Sequence, residues 1–118
     1  MRKIIKIGGK EYTIKSSAYT QFKYKNDTGR KLLNDLQNIA QIADKSQEIQ
    51  IDKFDDLTDI LLRITFVMIE EADKAQVTSF DDFLKSIDGV FDDVEWINEV
   101  VEVATSPLSR GIQAPQNN

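Results

Sequence analysis

Three short segments place two adjacent carboxylates directly after a phenylalanine: Phe54-Asp55-Asp56, Phe80-Asp81-Asp82 and Phe91-Asp92-Asp93. Paired carboxylates can hold a divalent cation or serve as general acid and base. On a helix, however, adjacent side chains point about 100° apart, so such a pair is a poor clamp for one metal ion. The residues around 88–92 also lack the ligand spacing of an EF-hand loop. We therefore expect neither a metal site nor a catalytic pair.

The first two segments fit the first turns of helices instead. Ser79 as N-cap puts Asp81 and Asp82 in a first turn. Asp52 as N-cap does the same for Asp55. The helix dipole stabilises acidic groups in that position by roughly 0.3–1 kcal/mol each. These segments therefore predict the starts of a third and a fourth helix.

The last segment predicts a complete capping box. Asp92 as N-cap places Glu95 at the third helical position, where its side chain reaches back to the N-cap N–H. Phe91 and Trp96 would then pack against each other as a hydrophobic staple. We expect a fifth helix to begin at Asp92.

The composition removes most of the residues on which enzymes rely. The chain contains no Cys and no His. This excludes disulfides, thiolate nucleophiles, and the commonest general base and zinc ligand. Gly8-Gly9 belongs to no GxxxxGK[ST] motif and opens no helix, so it is not a phosphate-binding loop. We expect a protein without catalytic activity and without a cofactor.

Neither a secretory signal nor a membrane span is expected. The apolar residues of the N-terminus MRKIIKIGGKEY alternate with lysines, so no continuous apolar region forms. The longest apolar run, Ile60 to Ile69, has ten residues and contains Arg63, whereas a membrane-spanning helix needs about 20. The run predicts a buried core helix in an intracellular protein.

Charge is distributed unevenly along the chain. Residues 1–31 carry nine Lys/Arg and two acidic residues, and residues 32–118 carry six and eighteen, so their formal charges are +7 and −12. A basic N-terminal segment can bind nucleic acid, but the acidic remainder repels phosphate within about 10 Å. Association with a protein of mixed charge, or head-to-tail association of copies, is at least as natural.

Aromatic residues interleave with lysines in the basic segment, a mixture that can stack bases and neutralise phosphates. Tyr19 and Phe22, however, are expected in the core. Nucleic acid is therefore not the partner we expect, and a small nucleic-acid-binding regulator is kept as an alternative. The residues concerned are Tyr12, Tyr19, Phe22 and Tyr24, with Lys10, Lys15, Lys23 and Lys25.

The sequence predicts a mainly α (α+β) fold in which an N-terminal β-hairpin precedes about five helices around a long central helix. Two β-prone runs, centred on Ile5 and Tyr12, flank the turn Gly8-Gly9. A hairpin alone is marginally stable, so it must pack on the helices or pair with a neighbouring subunit.

Each helix is predicted from apolar residues at offsets of three, four and seven. The first follows Ser16-Ser17 and ends at Asn26-Asp27-Thr28-Gly29, with Ala18, Tyr19 and Phe22 inward. A second helix is predicted from Thr28, with Leu32, Leu33, Leu36, Ile39, Ala40 and Ala43 inward and Asp35 outside. It is followed by a central helix over Lys53–Lys74. Two shorter helices are then predicted, one over Ser79–Ile87 with Phe80, Phe83, Leu84 and Ile87 inward, and one over Asp92–Thr105 with Val94, Ile97, Val101 and Ala104 inward.

One compact domain is predicted over residues 1–106. A length of 118 residues suits a single core. Pro107 is expected to end the last helix, because a proline removes a backbone hydrogen bond and clashes with the preceding turn. Residues 107–118 contain little apolar content and are expected to form a flexible C-terminal tail.

One longer segment resembles a known family. The stretch SSAYTQFKYKNDTGRKLLNDLQ, from Ser16 to Gln37, combines a helix ending in Tyr24-Lys25, the turn Thr28-Gly29-Arg30 and a Leu-Leu-x-Asp-Leu helix. This arrangement resembles the tail assembly chaperones of long-tailed bacteriophages and prophages. The basic N-terminal hairpin, the segment ITFVMIEEADKA, the segment SFDDFLKSID and the acidic last helix are also similar to that family, so the resemblance covers roughly residues 1–106.

The resemblance implies a small protein in the cytoplasm of the bacterial host that is absent from the mature virion. It would bind the tape-measure protein, and possibly the tail-tube protein, and keep the tape-measure protein soluble while tail-tube subunits polymerise around it. In many members a ribosomal frameshift near the end of the coding region adds an extension, which would join the segment after Ser106. A structural head–tail connector protein is a further alternative.

A tape-measure protein presents amphipathic helix, for which the natural receptor is an apolar groove with a charged rim. Opposite charge at the two ends of the chain would also favour a homo-oligomer. The residues predicted to bind the partner, on the assumption that they are exposed, are Leu62, Phe66 and Ile69 on the central helix and Trp96, Val100 and Val103 on the last helix. Each of them could equally belong to the core or to a self-association surface.

Overall fold

The computed structural model describes residues 1–44, 51–90 and 94–113, with side chains over 1–39, 57–90 and 94–108. It confirms the predicted fold class, a mainly helical α+β protein with an N-terminal antiparallel hairpin followed by helices. The elements are β1 (Arg2–Ile7), β2 (Lys10–Lys15), α1 (Ala18–Thr28), α2 (Leu32–Asp44), α3 (Ile51–Ala72), a 3-10 turn (Lys74–Gln76), α4 (Phe80–Ser86) and α5 (Glu95–Gln113).

The hairpin closes on Gly8-Gly9 as predicted. Ile7 pairs with Lys10, which leaves a two-residue turn. Both glycines have positive φ, 55° and 84°, which the tight turns of hairpins require. Gly8 is needed for a second reason, because a Cβ there would lie 2.0 Å from the Asp88 carbonyl oxygen. The turn thus packs directly on the backbone that follows α4.

Helix α3 is the centre of the molecule, as predicted. It contacts β2 and each of the other four helices. Its side chains at Ile64, Met68 and Ile69 have no exposed area. The inner face of the hairpin completes the core from the other side, through Ile5, Ile7, Tyr12 and Ile14.

Several predicted helix boundaries are wrong. Helix α2 begins at Leu32 and not at Thr28, which is the last residue of α1. Helix α3 begins at Ile51, so Asp52 lies inside the helix and is not its N-cap. Helix α5 begins at Glu95 and continues through Pro107 to Gln113. Leu108, one residue beyond the proline, packs against the core, and this contact favours continuing the helix despite the hydrogen bond lost at the proline. Of the predicted tail, residues 114–118 lie outside the described part of the chain.

The buried face of α5 also differs from the prediction. Trp96, Val100 and Val103 are buried, at 1%, 0% and 0% exposed, whereas Val94 is 50% exposed. Both Trp96–Val100–Val103 and Val94–Ile97–Val101 follow helical spacing, so periodicity alone does not choose between them. Burying an indole removes more apolar surface from water than burying a valine. Ala104, predicted inward, is buried, and Ile97 and Val101, also predicted inward, are partly buried against the core.

Candidate partner-binding surface

Five of the six residues predicted to bind a partner lie in the core. Leu62 is 7% exposed, and Ile69, Trp96, Val100 and Val103 are at most 1% exposed. The expectation that these five residues are exposed is wrong, because each belongs to the stripe that its helix turns toward the core. The sixth, Phe66, is half-buried at the surface of α3. A partner surface in this conformation must therefore be built mainly from other residues.

Helix α1 supplies such residues, and its start is fixed by hydroxyl groups. Of the two serines that precede the predicted helix, Ser17 is the N-cap, and it forms a reciprocal capping box with Thr20. Both hydroxyls also donate to one carboxylate on α3: Ser17 Oγ to Glu71 Oε2 and Thr20 Oγ1 to Glu71 Oε1, each at 2.5 Å. Charge-assisted bonds of this kind are about twice as strong as neutral ones. They turn the Thr20 side of α1 toward α3.

A second polar cluster fixes the end of α1. The Tyr24 hydroxyl donates to Asp35 Oδ2 on α2 at 2.6 Å. The Arg30 guanidinium donates two hydrogen bonds to the same carboxylate, from Nε to Oδ2 at 2.9 Å and from Nη2 to Oδ1 at 2.8 Å. Asp35, predicted to lie outside, is only 3% exposed. The carboxylate can be buried because Tyr24 and Arg30 donate hydrogen bonds to it. A pattern of apolar residues in the sequence does not reveal this pairing.

The cluster shifts the pKa values of its members in opposite directions. Burial raises the pKa of Asp35, but the hydrogen bonds from Arg30 and Tyr24 and the charge of Arg30 outweigh it, so the net pKa is below the usual value. Burial, together with the hydrogen bond to Asp35, raises the pKa of the Tyr24 hydroxyl well above its usual value. Asp35 therefore stays charged and Tyr24 stays neutral near pH 7.

One ion pair completes the inner face of α1. Lys23 Nζ lies 2.8 Å from Asp27 Oδ2, one turn later, and 3.5 Å from Glu70 Oε1 on α3. The hydrogen bond to Asp27 raises the pKa of Lys23. Together with the hydroxyl and tyrosine contacts, the contacts of Lys23 turn the Thr20–Lys23–Tyr24 side of α1 toward the protein interior.

The opposite side of α1 carries two exposed aromatic rings. Tyr19 is 54% and Phe22 59% exposed, so the prediction that they pack in the core is wrong. The rings lie in contact with each other, with centroids 6.2 Å apart and planes at 39°. Their outward direction follows from the polar anchors, which claim the other side of the same helix. We call these two residues the aromatic patch.

A shallow groove lies between α1, α3 and α4. Its two adjoining cavities, of about 220 and 310 Å³, share Asp27, Thr28 and Arg63 as walls. Phe66 and Phe80 line one of them, and the Arg63 guanidinium lies 4.2 Å from the centroid of the Phe80 ring. The groove thus has an apolar floor and a charged rim, and it contains Phe66, the one predicted partner residue that is not buried.

The acidic pairs have the outcome expected at only one of the three segments. Ser79 is the N-cap of α4, accepts from the Asp82 N–H at 3.1 Å, and places Asp81 and Asp82 in the first turn. The side chains of Phe54-Asp55-Asp56 and the whole of Phe91-Asp92-Asp93, with the predicted capping box, lie outside the described residues. Among the side chains that are described, no three acidic groups are placed to hold a metal ion.

The comparisons with known proteins add no relatives. Protein-family models, curated proteins and solved structures were searched, and none matches this chain. No helix in the described ranges combines the length and apolar character needed to cross a membrane. The resemblance to phage tail assembly chaperones therefore depends on the sequence patterns alone.

Proposed function

We propose that this protein is a non-catalytic assembly chaperone that binds the tape-measure protein of a long-tailed phage or prophage through the aromatic patch. The observation that carries the proposal is the exposure of Tyr19 and Phe22 on a helix whose other side is fully engaged. More than half of each side chain faces water, although neither is needed to hold α1 in place. Exposed aromatic pairs are typical centres of protein interfaces.

The chemistry of the patch fits an amphipathic helix as the bound segment. Tyr and Phe offer large, stiff contact areas, and aromatic residues are common among those that dominate binding energy. Lys25 lies on the same exposed part of α1, and Lys15 ends the strand before it. An apolar stripe flanked by acidic residues would match both features. The groove beside Phe66 offers a second contact region for a long helical partner.

Co-expression with the tape-measure protein of the same phage or prophage tests the proposal. We expect the wild-type chain to keep that protein soluble and the double variant Tyr19→Ser/Phe22→Ser to lose this effect. The matched control is Leu33→Ser/Leu84→Ser, which removes two apolar side chains that are 46% and 36% exposed elsewhere. Unchanged solubility with the wild type would end the chaperone proposal, and equal loss with both variants would end the assignment to the patch.

Exposure of Tyr19 and Phe22 also supports the alternative of a nucleic-acid-binding regulator, since bases can stack on exposed rings beside lysines. A gel shift with mixed-sequence DNA or RNA separates the two functions. A shift that weakens steeply with salt and is lost in Tyr19→Ser/Phe22→Ser would favour nucleic acid. In the chaperone proposal the protein acts in the host cytoplasm and is absent from purified virions. A head–tail connector would be found in them.

A further inference from the structure

The two edges of the hairpin differ in how their backbone groups are used. Met1 and Ser16 exchange two hydrogen bonds, N to O at 3.0 and 2.8 Å. Hydrogen-bonded and non-hydrogen-bonded pairs alternate in an antiparallel ladder. The register then makes Lys3, Ile5 and Ile7 the bonded residues of β1. The alternate residues of β1 are Arg2, Ile4 and Lys6, and their backbone N–H and C=O groups must point away from β2.

The outer edge of β2 is closed by one side chain. Gln76, in the 3-10 turn, accepts from the Thr13 N–H at 2.8 Å and donates to the Thr13 carbonyl at 2.9 Å. A glutamine amide thus occupies the place that a neighbouring strand would take. Gln76 Nε2 also donates to the Ile69 carbonyl at 3.2 Å, which ties this closure to α3.

The outer edge of β1 has no such closure within residues 1–44, 51–90 and 94–113. No hydrogen bond from these residues reaches the outward backbone groups of Arg2, Ile4 or Lys6. The three side chains are exposed, and Ile4 is 64% exposed, the highest value among the large apolar side chains described. An open edge with an apolar side chain at its centre is a template for pairing with another strand.

The charges around this edge determine which strand fits. Arg2 and Lys6 flank Ile4 on the outer face, and Lys15 lies opposite Arg2 across the ladder. Glu11 lies opposite Lys6 across the ladder, but none of the three basic side chains has an acidic partner within salt-bridge distance among the described residues. Like charges placed opposite each other destabilise strand pairing. An acidic neighbour would relieve this repulsion.

We infer that the outer edge of β1 binds an extended acidic segment of a partner protein, in which acidic residues flank an apolar one. The partner would add a third strand beside β1, with its apolar residue next to Ile4 and its carboxylates near Arg2 and Lys6. A second copy of this chain is a poor occupant, because antiparallel pairing of two β1 strands about Ile4 would set Arg2 against Lys6. The inference is independent of the proposed function, since it uses neither the aromatic patch nor the tape-measure protein.

The test measures backbone amide exchange in the full chain by NMR. The probe is a synthetic peptide that contains Glu-Thr-Val-Thr-Glu, in which the glutamates and the valine share one face of the strand. It is used up to about 1 mM because strand addition by a short peptide is expected to be weak. We expect the amides of Arg2, Ile4 and Lys6 to become protected while those of Lys3 and Ile5 change little. The same peptide with lysine in place of each glutamate is expected to leave all five unchanged. This alternation is specific to strand addition, since side-chain docking would not select every second amide.

Two variants assign the contact. Ile4→Pro removes an outward N–H, at a place where an edge strand tolerates proline, and it also removes the isoleucine side chain that would contact the partner. It should weaken binding of the acidic peptide by about fivefold to tenfold. Arg2→Glu/Lys6→Glu should reverse the preference between the two peptides. Its control, Lys31→Glu/Lys85→Glu, makes the same change in net charge at exposed positions elsewhere and should keep the wild-type preference. Circular dichroism and thermal melts verify that each variant is folded.

Several results would overturn the inference. They are no binding of the acidic peptide at about 1 mM, protection without alternation, or equal binding by wild type and a folded Ile4→Pro. Concentration-dependent protection of Arg2, Ile4 and Lys6 without any peptide would show that a second copy occupies the edge. Concentration-independent protection there would show that the chain closes its own edge.

Discussion

Helices α1 and α5 both lie against α3, but they are held there by different chemistry. Helix α1 buries only Thr20 and Tyr24, and its contacts to α3 and α2 end on the carboxylates of Glu71, Glu70 and Asp35. Helix α5 buries an apolar stripe of Trp96, Val100, Val103 and Ala104. One helix is positioned by a few directed bonds and the other by apolar area.

This difference explains why α1 presents two aromatic rings to water. Polar contacts fix the rotation of α1 about its own axis, so its large apolar side chains do not have to pack in the core. Tyr19 and Phe22 are therefore available for a partner, whereas α5 has already used its aromatic residue. The indole of Trp96 is buried and its N–H donates to the Val90 carbonyl at 2.7 Å, so no polar atom of that ring is left for another molecule.

The largest effect on stability is expected in the apolar stripe that holds α5 in the core. Trp96→Ala should lower the free energy of unfolding by about 3–5 kcal/mol, because it leaves a cavity in the core and an unpaired Val90 carbonyl. Val94→Ala, two residues earlier and 50% exposed, is the control and should change it by less than about 0.5 kcal/mol. Denaturation in guanidinium chloride measures both. Similar values for the two variants would mean that the buried face of α5 is the predicted one after all.

The second largest effect on stability is expected in the polar cluster of Tyr24, Arg30 and Asp35. Asp35→Asn weakens the pairing with Arg30, and we expect a loss of about 2–3 kcal/mol in the free energy of unfolding. The value is below that of a fully buried ion pair because half of the Arg30 side chain is exposed, at 51%. Asp81→Asn, at an exposed helix start, should cost less than about 1 kcal/mol. A loss no larger than this control would show that α1 and α2 are joined by packing alone.

Within the polar cluster, Asp35 and Tyr24 predict different pH dependences of the free energy of unfolding. The folded pKa of Asp35 is depressed, so its contribution is complete above the unfolded value of about 3.9 and is lost as pH falls toward the folded value. The folded pKa of Tyr24 is raised, so its contribution is complete below about 10 and is lost as pH rises beyond it. Chemical denaturation across pH should show a shallower acid slope in Asp35→Asn and a shallower alkaline slope in Tyr24→Phe. Slopes unchanged by either variant would contradict the cluster.

A smaller loss is expected from a single hydroxyl of α1. Thr20→Val keeps the shape of the side chain but removes the bond to Glu71 and the acceptor of the Ser17 N–H, and it should cost about 1–2 kcal/mol, with Ser17 Oγ still bound to the same carboxylate. Thr78→Val, at an exposed position, should be nearly neutral. Thermal melts compare the pair, and an unchanged melting temperature in Thr20→Val would show that Glu71 does not position α1.

The smallest effect on stability is expected at the aromatic patch. Tyr19→Ser/Phe22→Ser should change the free energy of unfolding by less than about 1 kcal/mol, because both rings are more than half exposed. The same variant is the one expected to lose partner binding. A large loss of stability would instead show that the rings support the fold, and the patch would then cease to be a candidate interface.

Local sequence rules located the elements whose cause is local. Gly8-Gly9 permits a tight hairpin turn because both residues adopt positive φ, Ser79 caps α4 through its own hydroxyl, and Gly29 ends α1 in a left-handed conformation. These three features arise from the residues at the turn or cap itself. The apolar run around Ile64 is longer than any other in the chain, which was enough to predict a central helix.

Turn chemistry and apolar periodicity act over a few residues, and they were enough to predict the fold class, the hairpin and the central position of α3 among the five described helices. The direction in which α1 and α5 face depends instead on contacts between distant residues. Glu71 is 51 residues from Thr20, and Asp35 is 11 residues from Tyr24, so the bonds that turn the aromatic patch outward join residues that no local pattern connects. For α5, two stripes have equal spacing, and only the shape of the core selected the one that contains Trp96.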